Sequence, residues 1–297
     1  MQPNTNEPKS KFMARCQQSG RSQEACQVLF QREENKQLLW KKIDQKRRGF
    51  ISFASVQFRE AIRDSIEKFK QTLSRYSEPS QIEEISLNRE GLEAAYDKVY
   101  LRVGRAFAKD SLKAINKASP VTLRTKQVED MSEEELNDYF NELIAANSKE
   151  VIEERLEQVS ATVRKDIKQI IEQGVREGAS IDRISNLLDS VGKEEVGPKR
   201  ARTIARTEVV SASNYGSLEG AKATSKKLEK EYLATRDGRT RAGITSIYDH
   251  LSPDGQRVEL EGFFEVSGEQ LKYPGDPAGS PGNIINCRCT QTYVPLD

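Results

Sequence analysis

The texture of this chain changes near residue 227, and that change constrains its fold more than any other feature. Upstream, apolar residues return at helical spacing. Downstream, glycine and proline crowd the sequence, ending in PGDPAGSPGN and NCRCTQTYV. In the first part Phe58, Ile62, Ile66, Phe69 and Leu73 fall on one helical face, with Arg59, Arg63, Lys68 and Lys70 between them. Leu92, Tyr96, Val99, Val103 and Phe107 repeat the pattern, and Pro120 is expected to end that helix. Ser132 followed by Glu135 reads as a capping box, and Ser180 as the N-cap of a short helix holding Ile184, Leu187 and Leu188. Between them, Val159, Val163, Ile167 and Ile170 mark a further helix that Gly174 to Gly178 should end. Pro198 suits the first turn of a helix through Ala201, Ala205, Val209, Ala212 and Gly216. Small residues at that spacing predict a neighbour packed closely against it. After residue 227, LEKEYLATRDGRTR reads as a strand and then a tight turn at Asp237-Gly238, and NCRCTQTYV as another strand. The expected class is therefore α+β: an extended, mostly helical N-terminal region followed by a compact α+β end with short strands.

Composition removes several alternatives. With 47 Lys and Arg against 46 Asp and Glu, the formal net charge is +1, unlike a protein that coats nucleic acid along its length. Charged residues make up 31% of the chain, above the ~25% of an average globular protein, so long solvated helix faces are expected. No stretch approaches the ~18 consecutive apolar residues of a membrane span. MQPNTNEPKSKF has no apolar segment, so no secretory signal is expected, and residues 1–20 read as a mobile tail. Cys16, Cys26, Cys287 and Cys289 are too few for a disulfide scaffold, and reduced thiols are expected.

His250, the single histidine, lies upstream of the pair Cys287 and Cys289. Two thiolates and an imidazole supply three ligands of a tetrahedral zinc site. The C-x-C spacing is tighter than that of most structural zinc sites, and nothing selects a fourth ligand among Asp249, Asp254 and Asp276. The competing reading makes both cysteines small buried hydrophobes beside a terminal strand. That reading is preferred and no cofactor is expected, with zinc as the alternative. A Cys/His hydrolase would depend on the same three residues. The acidic block from Glu129 to Glu157 reads as a solvated face rather than paired catalytic carboxylates, and no phosphate-cradling glycine motif is present. No catalytic residue is assigned.

Basic clusters are the remaining signal. One runs from Lys41 through Lys42, Lys46 and Arg47 to Arg48; the other includes Arg200, Arg202, Lys226 and Lys227. These nine are the candidate contacts to double-stranded DNA, made through phosphates without reading sequence.

Three C-terminal segments, IARTEVVSASNYGSLEGAK, YLATRDGRTRAGITSIYDHLSPDGQ and YPGDPAGSPGNIINCRC, taken in order, resemble the phage Mu protein F-like, or head morphogenesis, family. The resemblance rests on Arg206, Thr207, Glu208 and Asn214; on Asp237, Arg239, Arg241, His250, Gly255 and Gln256; and on Asn286, Cys287, Arg288 and Cys289. The extra residues AGITSIYD depart from the family pattern between Arg241 and His250. The resemblance implies a helical region over 21–148 that docks to portal or capsid, and a Mu F-like domain over 149–297. It implies a minor head protein of a tailed phage or prophage, made in the host cytoplasm and held in the virion near the portal vertex. Its partners would be the portal protein, other capsid or scaffold proteins and double-stranded DNA, with no membrane. Arg206, Thr207, Glu208, Asn214, Asp237, Arg239, Arg241 and Asn286 would form one polar network bracing the fold. A toxin-like or nuclease-like enzyme is the alternative, since the domain also occurs fused to toxin modules.

Overall fold

The computed structural model describes residues 8–82, 84–118, 128, 131–190, 196–224 and 226–296. Helix α1 (Lys9–Gln18) leads into α2 (Gln23–Leu73), a single helix of 51 residues. At 1.5 Å per residue it is about 75 Å long. Next come α3 (Arg89–Val99), a π-helical turn (Tyr100–Gly104) and α4 (Arg105–Ala118). Helices α5 (Glu133–Asn147), α6 (Lys149–Arg176), α7 (Ile181–Ser190) and α8 (Val196–Lys222) complete the helical part. Strands β1 (Leu228–Leu233), β2 (Arg257–Glu259) and β5 (Thr290–Pro295) form an antiparallel sheet with β1 in the middle. Strands β3 (Phe264–Val266) and β4 (Glu269–Leu271) pair as a hairpin, and a one-turn helix, α9 (Pro281–Ile284), precedes β5. The α+β class expected from the sequence is the class observed.

The main core is helical. Phe58, Ile62 and Phe69 of α2 join Tyr96 and Val99 of α3, Phe140 and Ile144 of α5, Leu156 and Val163 of α6, and Ala205 and Val209 of α8. This core crosses residue 148, the expected domain boundary, so the helices on both sides pack as one body. The small residues of α8 perform the close approach their spacing predicts. A Cβ on Gly216 would overlap the backbone of Gly104, and one on Gly220 that of Ala108. The π-helical turn sits at this crossing. It inserts an extra residue into what the periodicity reads as one unbroken helix.

The capping box is present: Glu135 donates its backbone N–H to Ser132 Oγ, and its carboxylate accepts the Ser132 N–H at 2.8 Å. Pro120 lies outside the described residues. Two expectations about the N-terminus are corrected. Lys9–Gln18, read as part of a mobile tail, is a helix whose Phe12 and Cys16 are buried against Cys26 and Phe30 of α2. Its Cys16 is disulfide-bonded to Cys26, not reduced, because α1 folds back on α2 and brings the two Cα atoms within 5.8 Å.

Candidate functional site

The C-terminal sheet region has a small apolar core, built from Tyr232, Ala234, Phe264, Val266, Leu271, Cys287 and Cys289. Polar side chains reaching over from α2 hold it in place. Arg47, 2% exposed, donates from Nε to Ser213 Oγ at 2.7 Å, and from Nη2 to Asn214 Oδ1 at 2.6 Å and Thr290 Oγ1 at 3.1 Å. Its Nη1 donates to the carbonyls of Arg288 and Cys289 at 3.2 and 3.3 Å. Burial lowers its pKa to about 10, which leaves it charged at neutral pH. Asn214 in turn donates to the carbonyls of Pro274 and Cys289, so α8, α2 and the start of β5 meet at one buried hydrogen-bonded node. Trp40, the only tryptophan, donates to the Arg288 carbonyl at 3.0 Å. Glu33 pairs with Arg236 at 2.7 Å, and Arg236 also meets Asp254.

One residue shapes the Asn-Cys-Arg-Cys segment. Asn286 takes a left-handed conformation (φ 57°), one that asparagine tolerates better than most residues, and its N–H donates to Thr207 Oγ1. That turn brings Cys287 and Cys289 against His250. Imidazole Nδ1 lies 3.5 Å from Cys287 Sγ and 3.9 Å from Cys289 Sγ. The three ligand atoms lie within 4.8 Å of one another, and all three residues are buried. His250 Nε2 has no partner among the described residues. The Cys287 thiol is pushed up by its hydrogen bond to Cys289 and by burial. The same hydrogen bond, together with His250, holds Cys289 low. Arg288, between the cysteines, makes a two-pronged pair with Asp237 at 2.7 and 2.5 Å, which holds that carboxyl well below the usual range.

Above these residues opens a cleft of about 660 Å³ between α2, α8, the turn at 235–241 and the 286–289 segment. Its floor includes His250, Cys287 and Cys289. Its walls carry Arg48, Arg202, Arg206, Arg239, Arg241 and Arg288, while Asp44 is the only carboxylate among the described residues that line it. Arg202 and Arg206 are exposed and have no ion pair among the described residues. Arg241 donates to the Ile285 carbonyl, and the side chain of Arg239 is 72% exposed beside Asp237. Of these six, Arg48, Arg239 and Arg288 pair with Asp44 or Asp237. That leaves Arg202, Arg206 and Arg241 without an ion pair among the described residues, guanidinium groups suited to oxyanions such as phosphate.

The structure redistributes the residues singled out in the sequence. The eight expected to form one network do not. Asn214 belongs to the Arg47 node, Thr207 holds Asn286, and Asp237 pairs with Arg288 and Arg239. Arg206 faces the cleft and Arg241 binds a carbonyl. Glu208 turns the other way, into the helical core. There it meets Arg155 at 3.0 Å and Tyr100 at 3.4 Å, and burial raises its pKa despite Arg155.

Of the nine DNA candidates, Arg47 is corrected outright, since a buried group with five acceptors cannot reach a phosphate. Lys46 is held by Asp110 and the Ala106 carbonyl, Arg48 pairs with Asp44, and Arg200 with Asp166. Lys226 donates to the Ile115 carbonyl. Lys41, Lys42, Arg202 and Lys227 are exposed, and only Arg48 and Arg202 of the nine share the cleft while standing clear of its buried floor. Glu33 and Trp40 escaped the sequence reading, which also gave Arg155, Arg236 and Arg288 no role of their own. The lone tryptophan beside a basic run was the signal that could have found the Arg47 node.

No curated protein and no solved structure matches the chain. A family model does, that of Phage Mu protein F like protein, over residues 165–292. The matched segment runs from α6 into β5 and contains the cleft's α8 wall, its arginine turn and the Cys/His floor. Over those residues the chain is similar to the Phage Mu protein F like family.

Proposed function

We propose that this chain is a minor head protein of a tailed phage or prophage. In this reading it associates with the portal protein inside the procapsid and takes part in head assembly and in handling or ejection of packaged DNA. The family match over residues 165–292 carries the reading. The long helix α2 supports it, because it ties an N-terminal arm to the matched domain through Glu33, Trp40 and Arg47. That arm leaves Val28, Leu38 and Leu39 exposed, apolar positions available to a protein partner. The arginine cleft supports contact with the DNA backbone, since guanidinium groups release counterions from phosphates without reading bases. The virion would then hold the protein near the portal vertex, with other capsid or scaffold proteins around it.

Co-expression with the portal protein of the same phage tests the reading. Co-purification, and incorporation of the chain into procapsids, is the expected result. A chain that neither binds portal nor enters procapsids contradicts it. The competing reading is a Cys/His-dependent or metal-dependent enzyme, and the closeness of His250 to both sulfurs is what favours it. Nuclease or peptidase activity in the wild type that disappears in Cys289→Ala would establish that alternative.

A further inference from the structure

We infer that His250, Cys287 and Cys289 bind one Zn²⁺ ion through three side chains, and that the fourth coordination position opens onto the arginine cleft. Zn–S bonds of about 2.3 Å and a Zn–N bond of about 2.0 Å, at the tetrahedral angle, separate nitrogen from sulfur by about 3.5 Å. The observed separations are 3.5 and 3.9 Å, both from the same ring atom, Nδ1. One ring nitrogen has a single lone pair or a single proton, so it cannot make a full hydrogen bond to two thiols at once. A metal bound to Nδ1 satisfies the nitrogen and both sulfurs together. With Nε2 lacking any partner among the described residues, the two sulfurs are the ring's only polar contacts there.

Charge points the same way. Two thiolates and one Zn²⁺ cancel, so the occupied cluster places no net charge in a buried site. The Thr235 hydroxyl, 3.9 Å from Cys289 Sγ, is placed to act as an outer donor to a coordinating sulfur. The ion would also act as a staple. It would fix the loop that carries His250, between β1 and β2, to the segment entering β5.

The open position follows from what surrounds the cluster. No fourth His, Cys, Asp or Glu joins it among the described residues, and all three ligands line the cleft. The fourth ligand would therefore be a water, or an oxyanion held by Arg206, Arg239 or Arg241. Three protein ligands with one exchangeable position are the arrangement of reactive zinc sites, whereas structural sites close with four.

The test uses the full chain. Protein purified without chelator and dialysed should retain one zinc per molecule. Replacement by Co²⁺ should give the visible bands of a four-coordinate ion with a thiolate-to-cobalt band in the near ultraviolet. Cys289→Ser and His250→Gln should each weaken Zn²⁺ binding by more than about 100-fold, the upper range for losing even an outer-shell partner. Azide added to the Co²⁺ protein should shift the visible bands, because the fourth position exchanges. A folded wild-type chain that holds no zinc and gives no cobalt–thiolate band overturns the site, whether or not the variants fold. A cobalt spectrum that azide leaves unmoved overturns the open position. Failure to bind portal would leave these outcomes untouched, so the site and the proposed function fail separately.

Discussion

The helical body and the C-terminal sheet region share α2 and α8, yet they are held together by different physics. In the helical body, aromatic and aliphatic side chains from helices α2 to α8 interlock, and Phe58 meets Tyr96 edge-on with ring centres 4.9 Å apart. In the sheet region the apolar cluster is small, and cationic side chains do the joining: Arg47, Arg236, Arg288 and the buried Lys230. Burial in the first region removes apolar surface from water, and its cost of failure scales with side-chain volume. Burial in the second removes charge from water and is tolerated only while every donor keeps its acceptor. A region built this way is specific in geometry and sensitive to single atoms, which suits a segment that must shape a cleft.

The largest effect should come from the helical body. Phe58→Ala empties a fully buried ring position and is expected to cost about 4 kcal/mol in denaturant unfolding. A loss under about 1 kcal/mol, well below the roughly 3–5 kcal/mol typical of Phe→Ala in a packed core, would show that this core is loosely packed. The buried pair of Arg155 and Glu208 offers a sharper contrast. Arg155→Met alone should cost about 3 kcal/mol because it strands Glu208, whereas the double variant Arg155→Met with Glu208→Leu should recover most of that loss. A double variant as unstable as the single one would mean the pair itself stabilises the body.

In the sheet region, Arg47→Met should cost about 2 kcal/mol by orphaning buried acceptors. Asn214→Ala should be strongly non-additive with it, since the two share one node. Additive losses in a double-mutant cycle would dissolve that node.

A smaller effect concerns pH. Lys230, fully buried, donates to the Lys272 carbonyl, and burial lowers its pKa to about 8. Between about pH 8 and 10 the unfolded chain then binds more protons at this position than the folded one, so this residue makes stability rise with pH across that window. The rise, measured as the difference between wild type and Lys230→Met, should flatten below about pH 8, where Lys230 is protonated in both states. A difference that stays constant across that window would contradict the assignment.

Much of the helical body was legible in the sequence, because a period of 3.6 leaves a repeating mark wherever one face is buried. The Ser132–Glu135 box and the small-residue face of α8 were readable for the same reason: each is a local rule acting within a few residues. Arg47 shows where that reading stopped. It sat in a basic run that looked solvated, yet Trp40, Asp44, Arg47, Ala54 and Phe58 occupy one continuous buried face of α2. Helical spacing puts position 47 on that inner face, while its charge suggested a solvated one. The order of motifs marked the C-terminal region, but not which partner each charged group takes. Arg47 and Thr290, or Glu33 and Arg236, are separated by 243 and 203 residues, and no local pattern records such a pairing. The Cys16–Cys26 bond was missed for a related reason: composition spoke for reduced thiols, and only the fold-back of α1 brings the pair together.

In the proposed function, the arginine cleft is the part of the Mu F-like segment that meets phosphate. The most direct test is double-stranded DNA binding over a salt series, comparing wild type with the triple variant Arg202→Ala, Arg206→Ala, Arg239→Ala. These side chains stand clear of the buried node, so the fold should be retained. Log affinity of the wild type should fall linearly with log salt, and the variant's slope should be shallower by about 2 to 3, near 0.9 for each phosphate that is no longer neutralised. Equal slopes in the two proteins would contradict that reading and remove the cleft from DNA binding.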